Sequence, residues 1–287
     1  MSALSRRIYM KTVFFTGATG GLGELCVRTL SRRGWQVFAA GTNKGKLNEL
    51  EQLPHVIPLH ANVRDMDSLT AAKEKLLEYT DRLDAVVNFA GISVFSSLIE
   101  GEAIPLMEKL MDINVLGTAR VNALMIDLIE KGHGRIINCS STVGWAASQP
   151  FSGAYCASKR AIEAYSDSLR RELMFIGIPV IKIQPGAYQT ELLSGVDDDY
   201  LKTLKGTTRY QAVLRRLKFV MDKVLGAAGD PQDLANIVVK ALEDKRPRLK
   251  YRKGTGFLMY LMNALPDRLL DWGYRMVLKV PWGNSAT

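Results

Sequence analysis

Thr16-Gly17-Ala18-Thr19-Gly20-Gly21-Leu22-Gly23 follows directly on the apolar run Thr12-Val13-Phe14-Phe15. Four glycines within residues 17–23 lie between that β-rich run and a stretch, Leu22 to Arg32, that reads as a helix. Glycine at such a junction permits a tight turn, lets the backbone approach a pyrophosphate, and allows close packing of helix on strand. The helix N-terminus adds open N–H groups and the positive end of its dipole. A glycine-rich turn by itself is weak evidence. Its placement between strand and helix makes Gly17, Thr19, Gly20, Gly21, Leu22 and Gly23 candidate phosphate-binding residues.

Strand and helix signals alternate outward from this loop. Gln36 to Ala40, Val56 to Leu59, Leu83 to Val87, Arg135 to Asn138 and Pro179 to Ile183 read as further strands. Helical stretches near Lys46 to Glu51, Ser68 to Tyr79, and between the last three strands connect them. Apolar strands without strict alternation predict burial on both faces, hence a parallel sheet covered by helices. Right-handed crossovers then give a doubly wound α/β sheet, a Rossmann fold, with ligands beyond the carboxyl ends of its strands. No Ser/Pro-rich linker, low-complexity tract or repeat divides the chain. The expectation is one catalytic domain over residues 1–250, with a basic amphipathic C-terminal extension over 251–287.

With the loop and its order in place, the sequence resembles the short-chain dehydrogenase/reductase family. Gly17, Gly21 and Gly23 fit the compact single-domain branch, whereas Gly17, Gly20 and Gly23 fit the extended branch, so the loop alone does not choose. Asn88-Phe89-Ala90-Gly91 resembles the compact branch's Asn-Asn-Ala-Gly, with Phe89 in place of the second Asn. Asn114, Ser141, the Tyr155-Cys156-Ala157-Ser158-Lys159 run, and Pro185-Gly186 with Thr190 follow in the family's order. The resemblance runs from about Thr12 to Thr190, weakens around Gly229 to Ala235, and selects the compact branch that includes hydroxysteroid and retinol dehydrogenase-like members.

Tyr155 and Lys159 are four residues apart and share one helix face. A lone Tyr-x-x-x-Lys is usually a surface pair, and its meaning here comes from its neighbours. A free phenol ionises only near pH 10, at about that value, and an adjacent ammonium favours the phenolate. The resemblance implies that Tyr155 is the general acid/base, that Lys159 assists it and holds the nicotinamide ribose, that Ser141 bonds the substrate oxygen, and that Asn114 supports the lysine. Ser141 lies fourteen residues before Tyr155, one more than the family pattern, which an insertion near Ala147-Ser148-Gln149 accommodates. Ser140 is the substitute. Cys156 adjoins Tyr155, but with no histidine placed near it in sequence it reads as an inert small residue. His55, His60 and His133 form no metal set, and no metal is expected.

The resemblance places a ribose-binding acid at the end of the second strand, where this chain has Gly41, followed by Thr42-Asn43-Lys44. Without a carboxylate nothing there repels the extra phosphate of NADP, and Thr42, Asn43 and Lys44 supply donors and charge. The arginine common at position 42 and the basic residue common at position 20 in NADP-preferring members are missing. NADP is therefore expected ahead of NAD. Asn62-Val63 matches the adenine-side Asp-Val, and Asn88, Ala90, Gly91, Pro185, Gly186 and Thr190 complete the implied cofactor set together with Tyr155 and Lys159.

Residues 188–226 fall where the family carries a substrate lid and include Leu192-Leu193, Tyr200, Leu204, Tyr210, Val213-Leu214 and Phe219. They favour a lipophilic alcohol or ketone, such as a steroid or retinoid, over a sugar. The net charge of +9 is concentrated in residues 245–287, which hold nine Lys and Arg against two Asp. These basic residues flank the apolar runs Phe257 to Met262 and Met276 to Leu278, both far short of the ~20 residues of a membrane span. The tail reads either as a peripheral membrane or partner-binding element or as a packed C-terminus. Three cysteines, Cys26, Cys139 and Cys156, and no apolar leader predict a reduced, cytoplasmic setting. No nucleic-acid module is present. The resemblance implies a homodimer or homotetramer built on helices around Asn114 and Tyr155. A non-catalytic dinucleotide-binding protein on the same fold is the alternative.

Overall fold

The computed structural model describes residues 10–188, 191–226 and 228–279. The side chains of residues 191–196 and 223–225 also lie outside the description, and with them the expected site residue Thr190 and the side chains of the Leu192-Leu193 pair of the lid. The described strands are β1 (Thr12–Thr16), β2 (Gln36–Gly41), β3 (Val56–His60), β4 (Ala85–Asn88), β5 (Arg135–Cys139), β6 (Val180–Pro185) and β7 (Lys250–Lys253). The described α-helices are α1 (Gly21–Arg32), α2 (Lys44–Glu51), α3 (Met66–Leu77), α4 (Ala103–Leu110), α5 (Gly117–Lys131), α6 (Gly153–Leu173), α7 (Glu191–Gly206), α8 (Gln211–Leu225), α9 (Pro231–Glu243), α10 (Phe257–Ala264) and α11 (Asp267–Leu278).

The strands form one sheet in the order β3-β2-β1-β4-β5-β6-β7, every neighbouring pair parallel. This is the doubly wound sheet expected from the sequence. Successive residues of β1 serve opposite faces: Phe15 packs with α1 and α9, and Phe14 with α3 and α5. Both rings are fully buried, which is why the strand shows no polar alternation. Local chemistry starts the helices. Asn43 Oδ1 accepts from the Lys46 N–H at α2, Asp65 caps α3, and Asp230 caps α9 ahead of Pro231.

β7 was not expected. Lys250-Tyr251-Arg252-Lys253 carries three charges in four residues and has no apolar run. Only Tyr251 is buried, and the strand holds its edge by ladder pairing with β6. The boundary drawn from sequence at residue 250 falls on the first residue of this strand. Strand order reverses between β1 and β4, and the crevice at their carboxyl ends is where such a sheet takes a ligand.

Candidate active site

The glycine loop fits a dinucleotide for reasons visible atom by atom. Gly17 adopts φ +72°, and a Cβ there would lie 2.6 Å from both the Ala90 nitrogen and the Phe89 carbonyl carbon. The Thr16 hydroxyl accepts from the Phe89 and Ala90 N–H groups at 3.2 Å each, so the loops after β1 and β4 are locked together. A Cβ on Gly23 would collide with the Gly17 carbonyl oxygen. Gly20, the N-cap of α1, is exposed and has no side-chain cap; a Cβ there meets only an ordinary 3.5 Å contact. Gly21 and Leu22 begin the helix half-buried. An uncapped helix N-terminus behind a bare glycine turn suits a diphosphate.

The adenosine side is similarly laid out. A Cβ on Gly41 would lie 2.6 Å from both Oγ1 and Cγ2 of Thr19. Thr19 thus occupies the space from which an acidic side chain at position 41 would have to grow. Thr42, Asn43 and Lys44 are exposed at the mouth of the crevice. Asn62 shapes the next turn by accepting from the Arg64 N–H at 3.1 Å, and Val63 is buried against Gly117. Asp112 binds both Arg64 Nε (2.7 Å) and Arg120 Nη1 (2.8 Å), and these two guanidinium groups hold its carboxyl below the usual range. The adenine-side turn is thereby tied to the helix that carries Asn114.

The Asn88 side chain is tied into the protein interior. Its Nδ2 donates to Asn122 Oδ1 (2.7 Å) and Asn138 Oδ1 (2.9 Å), and Asn138 in turn donates to Ser166 Oγ at 3.0 Å. The side chain belongs to a buried amide cluster joining β4, β5, α5 and α6. Ala90 and Gly91, half-buried at the end of β4, line the crevice through their backbone. Pro185 ends β6, and a Cβ on the neighbouring Gly186 would collide with the Gly254 carbonyl. That close approach explains the glycine independently of any ligand.

Asn114 sits on a π-helical turn, Met111–Leu116, between α4 and α5. Such widened turns carry side chains out of α-helical register. Its Oδ1 accepts from the Ile92 N–H at 2.8 Å, and its Nδ2 donates to the Ile92 carbonyl (2.9 Å) and to Ser158 Oγ (3.0 Å). The Ser158 hydroxyl in turn donates a hydrogen bond to the Tyr155 backbone carbonyl at 2.8 Å. The buried Lys159 donates from Nζ to the Cys139 carbonyl at 3.0 Å, and Nζ lies 5.8 Å from the Tyr155 ring centroid. A Cβ on Gly91 would stand 3.1 Å from Asn114 Oδ1 and 3.6 Å from Lys159 Nζ, so the glycine lets both groups approach one point of the chain.

The two serines are distinguished by their bonds. Ser140 is buried, with its hydroxyl donating to the Lys159 carbonyl at 3.5 Å. Ser141 only caps the short turn Thr142–Gly144, accepting from the Val143 N–H at 3.4 Å. Its hydroxyl proton remains available for a ligand oxygen. Cys156 is buried, and burial pushes its thiol and that of Cys139 upward, as suits inert packing residues. Among the described residues no group of His, Cys, Asp and Glu is arranged to hold a metal.

Tyr200, Leu204, Tyr210 and Val213-Leu214 of the expected lid gather in one cluster with Phe95 and Phe151, which the sequence did not single out. Phe95 stacks within 5.7 Å of Phe151 and 6.0 Å of Tyr200, and Phe151 within 5.3 Å of Tyr210. These rings join α7 and α8 to the loops that follow β4 and precede Tyr155. Glu100 accepts from Thr207, Thr208 and Arg209, and Asp199 accepts from the Phe95 N–H at 3.2 Å. Leu278 of α11 packs into the same cluster, and Arg216 donates to the Leu278 and Lys279 carbonyls at 2.8 Å. On α10, Tyr260 lies 5.1 Å from Trp145, whose other neighbour is the Arg252 guanidinium at 3.8 Å. The C-terminal helices therefore pack on the Phe95 cluster and on Trp145, which follows the turn that Ser141 caps.

The sequence pattern of the short chain dehydrogenase family matches residues 11–201. "Retinol dehydrogenase 7" of Rattus norvegicus is 31% identical over 285 residues, covering 92% of this chain and 88% of the relative. "17-beta-hydroxysteroid dehydrogenase type 6" of Rattus norvegicus is 30% identical, covering 92% of this chain and 87% of the relative. A short chain dehydrogenase from Burkholderia cenocepacia J2315, solved in complex with NADP, superposes with a TM-score of 0.71 at 20% identity over 96% of this chain and 99% of its own. The chain belongs to the short-chain dehydrogenase/reductase family. It is an oxidoreductase of CH–OH groups that works with a nicotinamide dinucleotide.

Proposed function

We propose that the chain interconverts a lipophilic secondary alcohol and ketone, or a primary alcohol and aldehyde, with Tyr155 as general acid/base. The carrying observation is the buried relay Ile92–Asn114–Ser158–Tyr155, with Lys159 fixed to Cys139 beside the same ring. When bound, the nicotinamide supplies or accepts hydride at the reacting carbon. Tyr155 gives its phenolic proton to the carbonyl oxygen in reduction and takes it back in oxidation. Ser141 donates a second hydrogen bond to that oxygen, and Lys159 sets positive charge beside the phenol where negative charge develops. Asn114 is a positioning residue acting on the backbone of Ile92 and, through Ser158, of Tyr155.

NADP is the proposed preference, supported by the Thr19–Gly41 contact that leaves no room for a ribose-binding acid. The Phe95, Phe151, Tyr200 and Tyr210 rings and the names of the relatives support a steroid- or retinoid-like substrate. A homodimer or homotetramer through helices around Asn114 is proposed with it, supported by the exposed Ile104 and Leu116. The three unbridged thiols support a cytoplasmic setting. The test is reduced-cofactor absorbance with NADPH and NADH against steroids, retinoids and small ketones. Turnover confined to small hydrophilic alcohols would remove the substrate class.

A further inference from the structure

α11 has two apolar faces, and the fold uses one. Tyr274 and Leu278 point into the lid cluster. Leu269, Trp272 and Met276, spaced i, i+3 and i+7, form a second stripe. At 100° per residue Trp272 lies about 200° from Tyr274, and Met276 about 200° from Leu278. The second stripe is thus on the solvent side, and Leu269, Trp272 and Met276 are 46%, 46% and 57% exposed. α10 repeats the arrangement: Met259 and Tyr260 pack on Gln149 and Trp145, while Phe257, 81% exposed, and Leu258 and Leu261 face outward.

We infer that the outward faces of α10 and α11 dock on an anionic lipid surface, with the apolar stripe inserted between headgroups. The charge of the region selects the lipid. Residues 245–287 carry nine cations against two carboxylates, Arg268 borders the stripe, and Lys245, Arg246, Lys250 and Lys279 are exposed nearby in sequence. Basic residues beside a shallow apolar face are the pattern of interfacial helices, and an aromatic such as Trp272 suits the headgroup level. None of the described helices is long and apolar enough to cross a membrane, and a one-sided apolar stripe on a short helix suits attachment in the plane. The same two helices pack on Trp145, Gln149 and the lid cluster. Docking therefore sets the mouth of the substrate cleft against a reservoir of lipophilic molecules. The substrate side of this inference rests on the proposed function; the docking does not.

The test is co-sedimentation of the full chain, loaded with NADPH, on phosphatidylcholine vesicles with and without phosphatidylserine. Binding is expected only with phosphatidylserine, weakening as salt rises. Leu269→Ser/Trp272→Ser/Met276→Ser should lower vesicle affinity about tenfold or more. NADPH affinity, turnover of a water-soluble ketone and sedimentation mass should stay unchanged. Arg268→Glu/Lys279→Glu should weaken binding with the stripe intact. Absence of binding to either vesicle, equal binding with and without phosphatidylserine, or a change of oligomeric mass in the stripe variant would each overturn the inference, the last by assigning the stripe to a second copy of the chain. Loss of ketone turnover in the parent chain with vesicle binding retained would instead count against the proposed function.

Discussion

The dinucleotide half and the substrate half of this molecule are built by different means. Around β1, α1 and β4 the decisive contacts are between backbone atoms, and Gly17 and Gly23 mark places where a side chain would intrude on a neighbouring main chain. Over the substrate cleft, long side chains join segments about a hundred residues apart, as Glu100 does with Thr207 and Arg209. A backbone cradle binds the invariant part of a cofactor; a wall of side chains is free to differ with the substrate. Damage to the first half should therefore be global, and damage to the second should be confined to substrate handling.

The largest expected effect is at Gly23. Gly23→Ala drives a Cβ into the Gly17 carbonyl and should cost ~3 kcal/mol or more, with loss of NADPH binding. Gly17→Ala should be as severe, because it combines a backbone clash with a left-handed φ. Gly20→Ala, one position removed from both, should keep the fold. Thermal melts and quenching of NADPH fluorescence separate the three, and equal damage from Gly20→Ala would break the contrast.

Asn88→Ala should come next. It leaves the Asn122 and Asn138 oxygens short of donors in a buried cluster, costing about 1–3 kcal/mol. Dinucleotide affinity should change little at a temperature where the variant is folded. A large loss of affinity without loss of stability would give the Asn88 side chain a cofactor role.

Glu100→Gln should act on the substrate side alone, raising KM for a lipophilic ketone about two- to fivefold with NADPH affinity unchanged. The same group predicts a pH response. The Thr207 hydrogen bond, then that of Arg209, holds the Glu100 carboxyl below its usual range. A carboxyl depressed in the fold stabilises it fully above the unfolded value of about 4.3 and loses that contribution as pH falls through the folded value. Hydrogen-exchange protection in residues 200–214, taken relative to the intrinsic rate at each pH, should fall on acidification, and Glu100→Gln should flatten that response.

The contrast also explains what the sequence disclosed. Glycine spacing and the order from Gly17 to Lys159 are visible in one dimension and led to the phosphate loop and the family resemblance, while apolar strands without strict alternation led to the parallel sheet. β7 was hidden because its place depends on pairing with β6, while its residues are mostly charged. The resemblance of Asn88-Phe89-Ala90-Gly91 implied a cofactor role for Asn88 but not its side-chain partners, Asn122 and Asn138, which are 34 and 50 residues away. Ser140 and Ser141 are adjacent in sequence and differ in their bonds: Ser140 donates to the Lys159 carbonyl, nineteen residues on, a partner no spacing discloses. Trp145, Arg252 and Tyr260 carry no signal in spacing, since their stack forms only when α10 folds back on Trp145.

The central claim is that Tyr155 performs the proton transfer, while the glycine loop carries most of the dinucleotide's binding. Its most direct test is Tyr155→Phe, with steady-state turnover of a lipophilic ketone and NADPH affinity measured on the same preparation. The account predicts turnover lower by about 10²–10⁴-fold with dinucleotide affinity within about twofold of the parent. Turnover equal to the parent's would contradict it.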